Sequence, residues 1–247
     1  MTQTLLATDT RGIGDRLATA VALSAFHRRV PRIVYLTLAR DFGNIWTLLK
    51  PFCSEVHPCD DEQMALDPDG NRISLPYYWR WNADDLIYSR DAGFYITRID
   101  SIATLTQIKP GPIQRDVFKI IPHIRTLYRR KYVVLHPYAS TAEKSMPVED
   151  IQAIKDYCMK CNIPLYVLPL PRTTLSEAIK YVNDAALVIA VDSCISHFAY
   201  WLRQTLPTIV CYYGTSKDFA FRKLPEPLPT CFSGTELAKI KTIIDRL

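Results

Sequence analysis

The stretch Thr4-Leu5-Leu6-Ala7-Thr8-Asp9-Thr10-Arg11-Gly12-Ile13-Gly14-Asp15 carries the reading of the fold. It reads as a strand at Thr4–Thr8 and a turn at Arg11-Gly12-Ile13-Gly14-Asp15. A helix to about Arg29 follows, with Leu17, Val21 and Ala25 on one face, and after Pro31 a second strand at Ile33–Leu38. A strand, a crossover helix and a second strand form one βαβ unit, the building block of a parallel sheet.

The same alternation continues along the chain. Strands are expected at Tyr132–His136, Leu165–Leu168, Leu187–Val191 and Thr208–Tyr212. Helices are expected between them at about Val148–Cys161, Thr174–Val182 and Ile195–Leu202. A last amphipathic helix, Thr235–Leu247, places Leu237, Ile240 and Ile244 on one face. Between Leu38 and Ile113 the pattern is less regular: a turn at Asp67-Pro68-Asp69-Gly70, an aromatic and basic stretch Tyr77-Tyr78-Trp79-Arg80-Trp81, and a short strand at Phe94–Thr97. A helix over about Asp116–Arg130, interrupted by Pro122, closes this half. The expected class is α/β with two Rossmann-like domains, 1–130 and 131–247, whose parallel sheets face a central cleft. The final helix is expected to pack back on the first domain.

Composition sets the outer limits. With 48% hydrophobic and 22% charged residues the profile is that of a soluble globular protein. The net charge of +5 is too mild for a dedicated nucleic-acid module, although an acidic partner for the more basic first half stays open. No apolar run approaches the roughly 18 residues that span a bilayer, and the start lacks a secretory signal pattern, so a cytoplasmic location is expected. Seven cysteines, an odd number scattered through apolar segments, suit a reducing compartment. The Cys158/Cys161 pair has no second pair at zinc spacing and reads as structural.

Three loops at strand ends carry the candidate chemistry. In the first, Gly12 and Gly14 permit a tight turn and Asp15 sits in the opening turn of a helix. A dinucleotide fingerprint needs a glycine where Leu17 stands, so a nicotinamide cofactor is not expected. Asp15 equally serves the helix dipole. In the second loop, His136-Pro137-Tyr138-Ala139-Ser140-Thr141-Ala142-Glu143-Lys144, the Ser140 and Thr141 hydroxyls and the Lys144 charge suit a phosphate, or make an ordinary polar loop. In the third, Asp192-Ser193-Cys194-Ile195-Ser196-His197, a helix start with Ser193 suits a phosphate and Asp192 suits sugar hydroxyls. The plainer reading is N-capping by Asp192 or Ser193, with His197 packed.

These loops, in this order, resemble the heptosyltransferase family, glycosyltransferase family nine, of which the chain looks like a shortened member. The matching segments are Gly12-Ile13-Gly14-Asp15, then His136-Pro137-Tyr138-Ala139-Ser140 with Lys144 and Met146-Pro147, then Asp192-Ser193-Cys194-Ile195-Ser196-His197, and Gly214 after a strand. Tyr138 and Cys194 stand where the family pattern has glycine, positions where a side chain crowds a phosphate or demands a different backbone angle. The resemblance implies a GT-B fold and inverting transfer of a sugar from a nucleotide-diphosphate donor, with no metal and no cofactor beyond the donor itself. It implies Asp15 as general base. Donor or phosphate contacts would come from Gly14, Ser140, Thr141, Lys144, Asp192, Ser193, Cys194 and His197. An inverting transfer needs one carboxylate to take the acceptor proton, and a Lys with a helix N-terminus can stabilise the leaving diphosphate. Asp67-Pro68-Asp69 imitates a metal-binding DxD, but a turn explains it.

Aromatics mixed with arginine in the first half suit acceptor binding, so Arg11, Trp79, Arg80 and Trp81 are assigned there, with Arg72, Arg90, Arg98, Arg129, Arg130 and Lys131 as further positive charge. The expected acceptor is a carbohydrate. The alternative is DNA carrying a hydroxymethylated base, since the same residues suit a nucleic-acid strand. A third reading, from the two replaced glycines, is a catalytically silent nucleotide-binding protein.

Overall fold

The computed structural model describes residues 3–41, 49–77, 79–87, 94–113, 132–169, 174–202, 209–213, 230–231 and 237–247. The chain divides into two compact units, Met1–Ile120 and Ile121–Leu247. Among the described residues no helix is long and apolar enough to cross a membrane.

The first unit contains β1 (Thr4–Thr8), α1 (Ile13–Ser24), β2 (Arg32–Leu38), β3 (Glu55–Cys59), β4 (Ala65–Leu66), β5 (Arg72–Ile73), β6 (Trp79–Asn82) and α2 (Phe94–Thr106). The sheet order is β5-β4-β3-β2-β1-β6, parallel across β3, β2, β1 and β6, with β4 and β5 added as an antiparallel ribbon. Every residue of β1 is buried, as a central parallel strand covered on both faces requires. Strand alternation sends Leu5, Ala7, Ile33 and Tyr35 to the core shared with Leu23, Phe26, Ile99 and Ile102, while Leu6, Val34 and Leu36 join the core on the other face with Cys59 and Ala65.

Two local expectations are corrected here. The segment Phe94–Thr97, rich in aromatic and β-branched residues, is the opening turn of α2 and not a strand. Burial recurs at Tyr95, Arg98, Ile99, Ile102 and Thr106, the spacing of one helix face. Helix α1 stops at Ser24, short of Arg29: the Ala25 N–H donates to the Ala22 carbonyl (3.0 Å) and the Phe26 N–H to that of Leu23 (2.9 Å), the tighter bonds of a closing turn. Phe26 and Val30 nevertheless reach the core, so the apolar pattern outlasts the helix.

The second unit contains β7 (Val133–His136), α3 (Val148–Lys160), β8 (Leu165–Val167), α4 (Leu175–Asp184), β9 (Leu187–Ala190), α5 (Cys194–Leu202), β10 (Ile209–Tyr213), β11 (Thr230–Cys231) and α6 (Leu237–Ile244). Its sheet, β11-β10-β9-β7-β8, is parallel throughout, the four expected strands joined by β11. In the last helix Ile240 and Ile244 share a core with Val133, Leu187, Ile151 and Ile154 of the second unit, and the Tyr157 hydroxyl donates to Asp245 (2.6 Å). An apolar face identifies a helix but not its partner. The helix expected over Asp116–Arg130 lies outside the described residues.

In each sheet the chain leaves its first strand on one side and returns on the other. Strand β2 flanks β1 on one side and β6 on the other; β8 and β9 flank β7 in the same way. The crevice beyond the carboxyl end of such a strand is where open α/β sheets bind ligands.

Candidate functional site

At the end of β1 the chain enters Asp9-Thr10-Arg11-Gly12 and then α1, whose N-cap, Gly12, offers no side-chain cap. The Asp15 carboxylate does not cap the helix either. Its Oδ1 accepts from Arg98 Nη2 of α2 at 3.0 Å. The same Nη2 lies 3.6 Å from Asp9 Oδ2, and Arg98 Nε donates to the Thr19 hydroxyl (3.2 Å), which donates in turn to Asp9 Oδ2 (2.5 Å). Arg98 and Asp9 are both 0% exposed, whereas Asp15 is partly open. Burial pushes the Asp9 carboxyl above its usual range, against the opposing pull of the Arg98 charge.

The loop itself is braced from the turn after β6, Ala83–Asp85. Thr10 N–H and hydroxyl both donate to Asp84 (hydroxyl at 2.6 Å), and Arg11 Nε donates to Asp84 Oδ1 at 3.2 Å. Arg16 Nη2 donates to the Thr10 carbonyl (3.0 Å). Thr10, Arg11, Gly12, Ile13, Arg16 and Arg40 line a pocket of about 280 Å³. Gly14 stands one residue before Asp15 within α1.

In the second unit the loops after β7 and β9 meet. Lys144 Nζ donates to Asp192 Oδ2 (3.1 Å), and Ser193 Oγ lies 3.1 Å from His136 Nδ1. Burial pulls the His136 imidazole down to about 4, so it is neutral at pH 7. Neither Asp192 nor Ser193 is spent on capping α5; the Ser196 hydroxyl accepts from the Ser193 N–H (3.3 Å) and donates to the Ser193 carbonyl (2.7 Å). Both expected capping residues thus turn toward β7. Ser140 and Thr141 are exposed beside Lys144, and Ser145 ties the loop by donating to the Thr141 carbonyl while accepting from the Ala139 N–H.

The structure separates the remaining sequence-assigned residues by burial. His197 is 4% exposed, held within α5 as the packing reading expected. The Cys194 thiol is pushed up to about 11 by burial and stays neutral. Tyr138 is 50% exposed. The described non-glycine residues with positive φ are Gln63, Gln107 and Asn162, so neither Tyr138 nor Cys194 is forced into a glycine conformation. The acceptor assignment changes more. Trp79 and Trp81 lie on β6 opposite Leu5 and Ala7, both face the core, and Trp81, 3% exposed, donates its indole N–H to Ser101 Oγ (3.1 Å). Trp81 is enclosed and offers no stacking platform, Trp79 is half-buried, and Arg80 between them is exposed. Arg98 is enclosed and Arg72 pairs with Asp60 and Glu62 (both 2.7 Å). Arg90, Arg129, Arg130 and Lys131 lie outside the described residues, as does Gly214.

The Asp67-Pro68-Asp69-Gly70 segment is the β4–β5 turn. Asp67 Oδ1 accepts from the Asp69 N–H (2.9 Å) and the Asn71 N–H (2.8 Å), with Gly70 at φ +85°. Among the described residues no group of three or more His, Cys, Asp or Glu side chains is placed to hold a metal. In the sequence Arg98 reads only as positive charge, and Asp9, Thr19 and Asp84 have no assigned role in the first loop, because Arg98, Thr19 and Asp84 reach it from separate elements and Asp9 acts only through them.

No family model matches the chain, and no curated protein matches it. Solved structures do. The E. coli heptosyltransferase WaaC with ADP superposes with TM-score 0.64 at 14% identity, covering 99% of this chain and 96% of that one. A glycosyl transferase of family 9 from Veillonella parvula DSM 2008 gives 0.60 at 13%, over 98% and 91%. The iron-containing dodecameric heptosyltransferase TibC, in complex with ADP-D-β-D-heptose, gives 0.58 at 13%, over 94% of this chain and 63% of that one. At these identities the likeness is one of fold: two Rossmann-like units in the GT-B class.

Proposed function

We propose that the chain is an inverting glycosyltransferase, moving a sugar from a nucleotide-diphosphate donor to a carbohydrate hydroxyl without a metal. The observation that carries the reading is the placement of charge. Each unit sets its charged loop groups at the carboxyl end of the strand where its sheet order reverses, Asp15 after β1 and Lys144 with Asp192 after β7 and β9. The solved relatives named above include heptosyltransferases holding ADP and an ADP-sugar, which supports the donor class.

In the proposed reaction Asp15 takes the proton of the acceptor hydroxyl as that oxygen attacks the anomeric carbon. The bond from that carbon to the diphosphate oxygen breaks on the opposite face, inverting the centre. Lys144, the Ser140 and Thr141 hydroxyls and Ser193 hold the developing diphosphate charge, and Asp192 accepts from sugar hydroxyls. The unpaired thiols of Cys53, Cys59, Cys158, Cys161 and Cys194 support the cytoplasm as the site of action. The carbohydrate acceptor and the hydroxymethylated-DNA alternative lose Trp81 alike, because it is a core residue, while Tyr77 of the same stretch is exposed.

A screen of UDP-, GDP- and ADP-sugars, with carbohydrate acceptors and with and without chelator, tests this. Nucleoside diphosphate release with an inverted product, unchanged by chelator, is expected. A folded protein that binds nucleotide yet releases no diphosphate from any donor would establish the silent binding protein instead.

A further inference from the structure

We propose that Arg98, backed by Asp9, is a positioning residue that orients Asp15, with Oδ1 held and Oδ2 presented to the acceptor. The proposal rests on Asp15 being the base. Two carboxylates share one enclosed guanidinium: Nη2 reaches Asp15 Oδ1 at 3.0 Å and Asp9 Oδ2 at 3.6 Å, and Nε is anchored on Thr19. A planar fork reaches these partners from two separate nitrogens in fixed directions, where an ammonium offers one. Enclosing such a group is costly unless its geometry is used, because a buried ion cluster contributes little net stability.

Asp9 does not absorb Arg98 completely. Its burial works against its own charge, and its other oxygen accepts the Arg11 N–H (3.1 Å). Among the described residues Asp15 is held through Oδ1, and Oδ2 lies on the side of Gly12, where a Cβ added to that glycine would sit 3.8 Å from it. The charged and titratable groups around the cluster are Asp9 and Arg11 from the loop after β1, Asp15 and Arg16 from α1, Tyr35 from β2 and Arg98 from α2. Arg98 is the cation in direct contact with the Asp15 carboxylate.

The test uses the full chain. Arg98→Met should lower kcat by about 10²-fold, the cost of misplacing a reacting group by about 1 Å, with donor KM unchanged. Arg98→Lys should restore part of the loss. In the Asp15→Asn background Arg98→Met should cost nothing more, because a residue that acts only through Asp15 has no effect once that carboxylate is gone. If Arg98→Met does not fold, Arg98→Lys alone and in the Asp15→Asn background decides by the same comparison. Wild-type kcat in a folded Arg98 variant, or losses that add in the double variant, overturn the proposal and leave the glycosyltransferase reading standing. No transfer by the wild type refutes that reading instead, and with it any purpose in catalysis for Arg98.

Discussion

Replacing Lys144 by alanine separates a structural charge from a ligand-binding one. Lys144 Nζ sits 3.1 Å from Asp192 Oδ2, but its side chain is 46% exposed and that of Asp192 23%. An exposed pair of this kind contributes at most about 1 kcal/mol to folding, because water screens it and two side chains must be ordered to form it. A charge-assisted contact to a diphosphate contributes roughly 1.5–3 kcal/mol. Lys144→Ala should therefore cost less than about 1 kcal/mol in urea denaturation, while weakening nucleoside diphosphate binding by about 10- to 150-fold, at 1.4 kcal/mol per factor of ten. Calorimetry with the diphosphate and with the phosphate-free nucleoside makes the comparison, and the nucleoside should bind both proteins alike. Equal losses for the two ligands would refute the phosphate assignment, since Lys144 would then act through the fold or the base. A stability loss of several kcal/mol would refute the treatment of its ion pair as solvent-screened.

Asp15→Asn should lower kcat by about 10²–10⁴-fold at saturating donor while donor affinity holds, and wild-type turnover would return Asp15 to a helix-terminus role. Trp81→Ala should destabilise the first unit by about 3–5 kcal/mol in thermal or urea unfolding, the cost of emptying a buried aromatic site, whereas Arg80→Ala, on the exposed side of the same strand, should change stability by less than about 0.5 kcal/mol. The His136 imidazole titrates near 4 when folded against 6.5 unfolded, so below pH 6.5 the unfolded chain takes up a proton that the folded one refuses. Stability should then fall by up to about 3 kcal/mol between pH 6.5 and 4, and His136→Gln should flatten that part of the urea-midpoint profile; an unchanged slope would show that another group controls it.

The opening βαβ unit and most of the second unit were legible because they are written in local pattern, whereas β3, β4, β5, β6 and β11 were not read from it. Apolar runs such as Thr4–Thr8 and Leu187–Ala190 announce strands buried on both faces, and the loops that follow them announce helix starts with Asp15 or Ser193 in place. Local pattern failed where it was ambiguous over one turn. Phe94–Thr97 has strand-forming residue types, and the burial of Ile99, Ile102 and Thr106 further along decides for a helix. Trp79-Arg80-Trp81 has the composition of a binding surface, but strand alternation beside Leu5 and Ala7 places both indoles inward.

By itself, then, the sequence determined the α/β class, the βαβ order and the loops that hold Asp15, Lys144, Asp192 and Ser193, since each depends on neighbours a few residues away. Only the tertiary structure decided what those groups touch. Asp15 meets Arg98 across 83 residues, Lys144 meets Asp192 across 48, and Ser193 meets His136 across 57. A charge reveals its type in the sequence, but its ionisation and aim are set by desolvation and by the partner that packing delivers, and both exist only once the strands are paired and the helices are laid on them.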